Sequence, residues 1–218
     1  HYYKMITEAI NEFSLGDPRL LSTDIGPVID QEAKQNLENH KANMRKVARA
    51  YVELEAPTNG HFVAPAVYLL DNLNQLQREV FGPILHIVRY KKENLVNVLN
   101  EVNAKGYALT GGCHSRIRKQ MDLVEKHLHC GNFYINRNIV GAVVGVQPFG
   151  GHGLSGTGPK AGGEFYLQRL TKTDRYYSQF GDENSLGNAQ PVLDSITGER
   201  NSLAYLPSEV AILNGDLA

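Results

Sequence analysis

The sequence predicts an α/β fold with a largely parallel sheet, and two observations carry that expectation. Three β-rich runs (Ile84 to Tyr90, Tyr107 to Cys113 and Asn132 to Asn136) alternate with two amphipathic helical stretches. Those helices carry Leu95, Leu99 and Val102, then Ile117, Met121, Val124 and Leu128. Ahead of them, Met5, Ile6, Ala9, Ile10 and Phe13 recur at helical spacing, and the helix they define should stop near Gly16-Asp17-Pro18. No capping residue or initiator methionine precedes it, so His1 reads as an internal residue of a longer parent. A second helix is expected after Asp30, with Ala33, Leu37, His40, Met44 and Val47 in one row and a polar opposite face. Phe62 to Leu70 reads as extended chain interrupted by Pro65.

After residue 136 the character changes. Nine of the 21 glycines fall between Gly141 and Gly163, which predicts a loop shaped by backbone freedom. Phe165 to Leu170 is a last apolar segment leading into Thr171 to Ser178, a candidate strand. Beyond about Gly181 the chain is rich in Asn, Ser, Gly, Pro and Asp and reads as an extended or partly disordered arm.

Composition narrows the function. The 218 residues are 42% hydrophobic and 21% charged, enough to bury a core, and the net charge of −1 gives no electrostatic case for nucleic acid or an anionic membrane. No apolar run approaches the ~20 residues that span a bilayer. Two cysteines make a disulfide framework improbable and point to a reducing cytoplasm.

Candidate motifs differ in weight. Gly151-His-Gly153-Leu-Ser-Gly156 fits the dinucleotide fingerprint, but Pro148-Phe149-Gly150 precedes it and Gly158-Pro159 would break the helix it should open. Cys113 and His114 are adjacent on a strand and so face opposite sides; they cannot form a nucleophile–base pair. His127, His129 and Cys130 lack the paired spacing of a zinc site, so no metal is expected. Glu79, in Arg78-Glu79-Val80-Phe81-Gly82-Pro83, could offer a carboxylate to ribose hydroxyls with an aromatic beside it; a solvated Glu next to a core Phe is the alternative.

Together, several segments resemble the aldehyde dehydrogenase superfamily. They are Glu79-Val-Phe81-Gly-Pro83, Tyr107 to Arg116, Gly131-Asn-Phe-Tyr-Ile-Asn136 and Gln147-Pro-Phe149-Gly-Gly151, preceded by Gly16-Asp-Pro18 and Asp24-Ile-Gly-Pro-Val28. Order and spacing hold over residues 1 to about 178. Asn136 to Gln147, Gly153 to Gly163 and Thr197 to Ser202 are most similar to the 1-pyrroline-5-carboxylate (L-glutamate γ-semialdehyde) dehydrogenases fused into bifunctional proline utilization A.

The resemblance implies the C-terminal portion of a parallel-sheet catalytic domain over residues 1–165, an oligomerisation strand over 166–180 and an extended tail over 181–218. It implies NAD-dependent oxidation of L-glutamate γ-semialdehyde to L-glutamate, with FAD confined to a proline dehydrogenase domain elsewhere in the parent. Glu79 would accept the nicotinamide-ribose hydroxyls and Phe81 would pack near the nicotinamide. Gly141 and Ala142 match a loop whose backbone N–H groups hold the substrate's α-carboxylate, and Phe149 matches an aromatic flanking its aliphatic stem. The family's nucleophilic cysteine and general base lie upstream of the position matching His1, so no catalytic residue is expected in this chain, which alone should be inactive. Expected partners are the remainder of the parent, a small-molecule substrate and further copies of the enzyme. Another aldehyde substrate, or a non-catalytic assembly module on the same fold, are the competing readings.

Overall fold

The computed structural model describes residues 1–163, 165–170, 192–193 and 198–203. They form two compact units: His1–Gly106 with Lys126–Leu128, and Tyr107–Glu125 with the described residues from His129 onward.

In the first unit, α1 (Tyr2–Ala9) passes through a short 3-10 turn, Ile10–Glu12, and ends earlier than Gly16. Phe13 is already extended, because Leu15 bridges Ile25 and the Asp24 carboxylate accepts the Ser14 N–H at 2.8 Å. Helix α2 (Gln31–Val47) starts where the sequence places it: the Asp30 side chain accepts the Ala33 N–H at 2.8 Å, satisfying one orphan donor of the first turn. Arg45 and Lys46 in its last turn complement the helix dipole. Three strands follow: β1 (Ala50–Glu53), β2 (Ala66–Leu70) and β3 (Ile84–Val88). β2 is central, antiparallel to β1 and parallel to β3, and all five of its residues are buried. Met44, Ala66, Tyr68 and Leu70 make the core, with Ala48, Leu76, Ile84 and Val88 packed against it. Helix α3 (Leu95–Asn103) buries Leu99.

The polar face expected for α2 is not uniformly solvated. Lys41 is buried, and its ammonium reaches the Ala64 carbonyl at 3.2 Å and the Glu53 carboxylate at 3.4 Å. Glu53 also accepts two bonds from Arg45, at 2.9 and 2.6 Å, and one from the Tyr68 hydroxyl. Burial works against its charge, but these partners outweigh it and hold the carboxyl below the usual range.

His40 of α2 meets His86 of β3, Nε2 to Nε2, at 2.8 Å, a hydrogen bond that needs one ring to donate and the other to accept. Burial, then the neighbouring His40, push His86 down to about 4; burial, then Arg78, push His40 down. As pH falls, the unfolded chain therefore binds the His86 proton before the folded one does. The pair's stabilisation is complete above about pH 6.5 and is lost between there and about 4. After discounting for partial exposure, the loss should be on the order of 1–2 kcal/mol. Hydrogen-exchange protection of peptides covering 84–88 in the full-length protein, compared at pH 7 and pH 4.5 after correction for intrinsic rates, tests this; His86→Gln should flatten the difference, and an unchanged pH dependence in that variant would refute the assignment.

The second unit begins with β4 (Tyr107–Ala108) and β5 (Thr110–Cys113). The run expected as one strand changes partner at Leu109: β4 pairs antiparallel with β7 (His152–Gly153), and β5 pairs parallel with β6 (Asn132–Ile135). Helix α4 (Arg118–His127) buries Met121 and Val124, whereas Ile117, expected on its apolar face, precedes the helix and is 56% exposed. The parallel pairs β2–β3 and β5–β6 are thus pieces of an α/β fold, and each unit also holds an antiparallel pairing, β1–β2 in the first and β4–β7 in the second. Within the expected tail, β8 (Val192–Leu193) and β9 (Asn201–Ser202) pair antiparallel. The candidate interface strand Thr171 to Ser178 and most of residues 181–218 lie outside the described residues. Among the described residues no helix is long and apolar enough to cross a membrane.

Candidate active site

In the first unit, the loop bearing Glu79 and Phe81 leaves a 3-10 turn (Leu73–Gln75) and enters β3. The Gln75 side chain fixes its start, accepting from Asp71 and Asn72 N–H at 2.8 and 3.1 Å and donating to the Val47 carbonyl at 2.7 Å. Gly82 fixes its end: a Cβ there would lie 2.6 Å from the Leu37 methyls, so the backbone rests directly on α2. The space above Leu37 is therefore taken by main chain, and Phe81 stands 90% exposed beside an exposed Glu79. The alternative of a core Phe is overturned.

In the second unit, Gly141, Ala142 and Phe149 fall on one glycine-rich segment. Gln147, 8% exposed, organises its first half: its Oε1 accepts the Val143 N–H at 3.1 Å, while its Nε2 donates to Asn201 Oδ1 at 2.8 Å and Glu199 Oε2 at 3.3 Å. Glu199 pairs in turn with Arg137 at 3.1 Å, and that guanidinium sits 4.7 Å over the Tyr134 ring. Gly141 and Ala142 are half-buried, and a Cβ at Gly141 would meet nothing within 4 Å. Phe149 exchanges two backbone hydrogen bonds with Ala161, at 3.0 and 2.9 Å, and lines a cleft of about 420 Å³ with Leu109, Ser155, Pro159 and Tyr166. Gly141 and Ala142 do not line that cleft. Ser155 anchors its floor by accepting the Ala108 N–H at 2.9 Å. Lys160 sits beneath, donating to Gly131 O, to Asn132 Oδ1 at 2.9 Å and to Gly150 O at 3.2 Å. Neither Gln147 nor Lys160 stands out as a structural anchor in sequence, because apart from Val143 their partners lie 10 to 54 residues away.

His152 and Gly153 form β7 and do not open a helix, so the fingerprint lacks its required context, as its flanking prolines predict. Among the described residues no three His, Cys, Asp or Glu side chains converge as metal ligands. Both cysteines are free and half-buried. Burial pushes the Cys130 thiol up to about 11 against the opposing pull of Lys160, so it stays protonated at neutral pH and is a poor nucleophile.

Parallel strand pairs, an exposed Glu-x-Phe-Gly-Pro loop and a Pro-Phe-Gly-Gly cleft define the class. Residues 1–175 match the aldehyde dehydrogenase family, and the chain belongs to it. Bifunctional protein PutA of Escherichia coli is 51% identical over 178 residues, covering 78% of this chain and 14% of that protein. A 1-pyrroline-5-carboxylate dehydrogenase of Geobacillus is 36% identical over 165 residues, covering 74% of this chain and 32% of that one. Among solved structures, Bradyrhizobium japonicum proline utilization A matches with a TM-score of 0.73 at 53% identity, over 77% of this chain and 17% of that one. A Thermus 1-pyrroline-5-carboxylate dehydrogenase with bound NAD matches at 0.68 and 33% identity, over 76% of this chain and 32% of that one. The chain thus spans a third or less of these relatives.

Proposed function

We propose that this chain is the C-terminal part of an oxidoreductase domain that oxidises L-glutamate γ-semialdehyde, the open form of 1-pyrroline-5-carboxylate, to L-glutamate within a longer bifunctional enzyme of proline catabolism. The observation that carries the reading is the exposed Glu79–Phe81 pair, held out by Gly82 on a pinned loop. An outward carboxylate beside a bare aromatic face fits the ribose and nicotinamide of NAD⁺, which when bound supplies the hydride acceptor. Glu79 accepts the ribose hydroxyls and Phe81 packs on the nicotinamide. Backbone N–H groups at Gly141 and Ala142 hold the substrate's α-carboxylate, and Phe149 flanks its stem. The nucleophilic cysteine and general base belong to sequence outside this chain, in keeping with the high pKa of Cys130. FAD belongs to a proline dehydrogenase part of the parent. The partners are the rest of that polypeptide and further copies of it, with no nucleic-acid contact from these residues, in the cytoplasm.

NAD⁺-dependent turnover of glutamate semialdehyde by this chain and by the full-length parent is the test. Activity in the parent alone is expected. Activity in the isolated chain would make Cys113 or Cys130 a nucleophile and overturn the assignment of the site.

A further inference from the structure

Phe149 lines the cleft together with Tyr166, and main-chain hydrogen bonds fix its place in the loop. Its own backbone is tied to Ala161 on both sides of the peptide. The residues before and after it are tied as well: Asn132 Nδ2 donates to the Pro148 carbonyl at 2.9 Å, and Asn132 Oδ1 accepts the Gly150 N–H at 3.2 Å. Both ties depend on where the Asn132 amide points, and Lys160 sets that. Its ammonium donates to the Asn132 Oδ1 at 2.9 Å, to the Gly150 carbonyl at 3.2 Å and to the Gly131 carbonyl. All three ammonium protons are thereby used, each on a group next to Phe149 in the chain or across from it. Charge-assisted bonds of this kind are about twice as strong as neutral ones and directional enough to fix a loop. Close packing reinforces the arrangement, since a Cβ at Gly150 would lie 3.1 Å from the Lys160 Cα.

We infer that Lys160 is a positioning residue for substrate: from behind the glycine loop it holds Phe149 against the aliphatic stem of the aldehyde, and so sets aldehyde affinity without touching either reactant. The inference rests on the proposed role of Phe149. Lys160→Met keeps the length and apolar stem of the side chain and removes the three donors.

The experiment measures kcat, the KM for glutamate semialdehyde and the KM for NAD⁺ in the full-length enzyme carrying Lys160→Met, Phe149→Ala or both. Lys160→Met should raise the semialdehyde KM about tenfold, with kcat and the NAD⁺ KM within about twofold. The double variant should be no worse than Phe149→Ala, because the lysine acts through that ring. Lys160→Arg, which keeps the charge and the donors, should return most of the lost affinity. A multiplied loss in the double variant, or a fall of kcat and NAD⁺ affinity together, would overturn the inference. A Phe149→Ala effect without a Lys160→Met effect overturns the lysine's role alone, whereas a silent Phe149→Ala removes the assignment of Phe149 on which it stands. If Lys160→Met does not fold, Asn132→Ala decides: a raised semialdehyde KM with unchanged NAD⁺ KM supports the bracket, and any other pattern refutes it.

Discussion

Gly131→Ala should abolish aldehyde oxidation in the full-length enzyme and strip hydrogen-exchange protection from β6. A Cβ at this position would lie 1.9 Å from the Gly150 carbonyl oxygen and 2.8 Å from the Gly151 Cα. Real Cβ atoms essentially never approach within 3.0 Å, and every atom in the way is main chain, so no rotamer change relieves the overlap. Relief requires β6 and the Phe149 loop to separate by about an ångström. That movement breaks the Lys160 and Asn132 bonds that hold the loop, and Gly131 N–H also loses its 2.9 Å bond to the Ala108 carbonyl. Overpacking plus lost buried hydrogen bonds should cost about 3 kcal/mol or more. Exchange measured on peptides covering 132–135 reads that cost locally, which a global midpoint of a multidomain protein does not. For the exchange measurement, Gly141→Ala, where a Cβ meets open space, is the control. Wild-type protection in Gly131→Ala would show that the packing described at this junction is wrong.

The contrast between those two glycines marks what the sequence can and cannot convey. Both lie in motifs that fix the family, and both are simply Gly in the chain; only the fold shows that one abuts backbone and the other abuts nothing. Local signals were legible wherever the cause was local. Asp30 caps α2, and the unbroken apolar run after Pro65 becomes the buried central strand. β1 was not legible, because three half-buried residues and an exposed Tyr51, two residues after a helix, show neither clear alternation nor a turn signal. Nor was the change of partner at Leu109, which depends on β7 arriving from more than 40 residues later. The candidate residues Glu79, Phe81 and Phe149 came from motif resemblance, and the structure supplies the surroundings that motifs omit. What escaped entirely were the charged anchors. Lys41 sits on a helix that reads as polar away from its apolar row, and Lys160 in a glycine-rich loop that reads as shaped by its backbone. Apart from the Glu38 contact of Lys41, each is held by partners that sequence spacing does not bring together.

Glu53→Ala is the second large effect, expected at about 3 kcal/mol on the protection of β2. The Lys41 side chain is 3% exposed, and without Glu53 its ammonium keeps only the Ala64 carbonyl and a 3.5 Å contact with Glu38. The Tyr68 hydroxyl and the Arg45 guanidinium lose their acceptor in the same step. The penalty comes from the stranded buried charge more than from the lost attraction, since taking an ion out of water is costly unless it is paired. Two consequences separate these contributions. Because the folded Glu53 carboxyl is held below its ordinary range, the wild-type contribution is complete above that range and is lost as pH falls through the folded pKa. And Lys41→Met in the Glu53→Ala background should recover at least half of the loss, because the unpaired charge is gone and its stem is replaced by apolar volume. Exchange of peptides spanning 66–70 in the full-length protein measures all three variants. A double variant that loses the sum of the two single effects would mean that Lys41 is stabilised by something other than Glu53, and that the buried pair does not hold α2 onto the sheet.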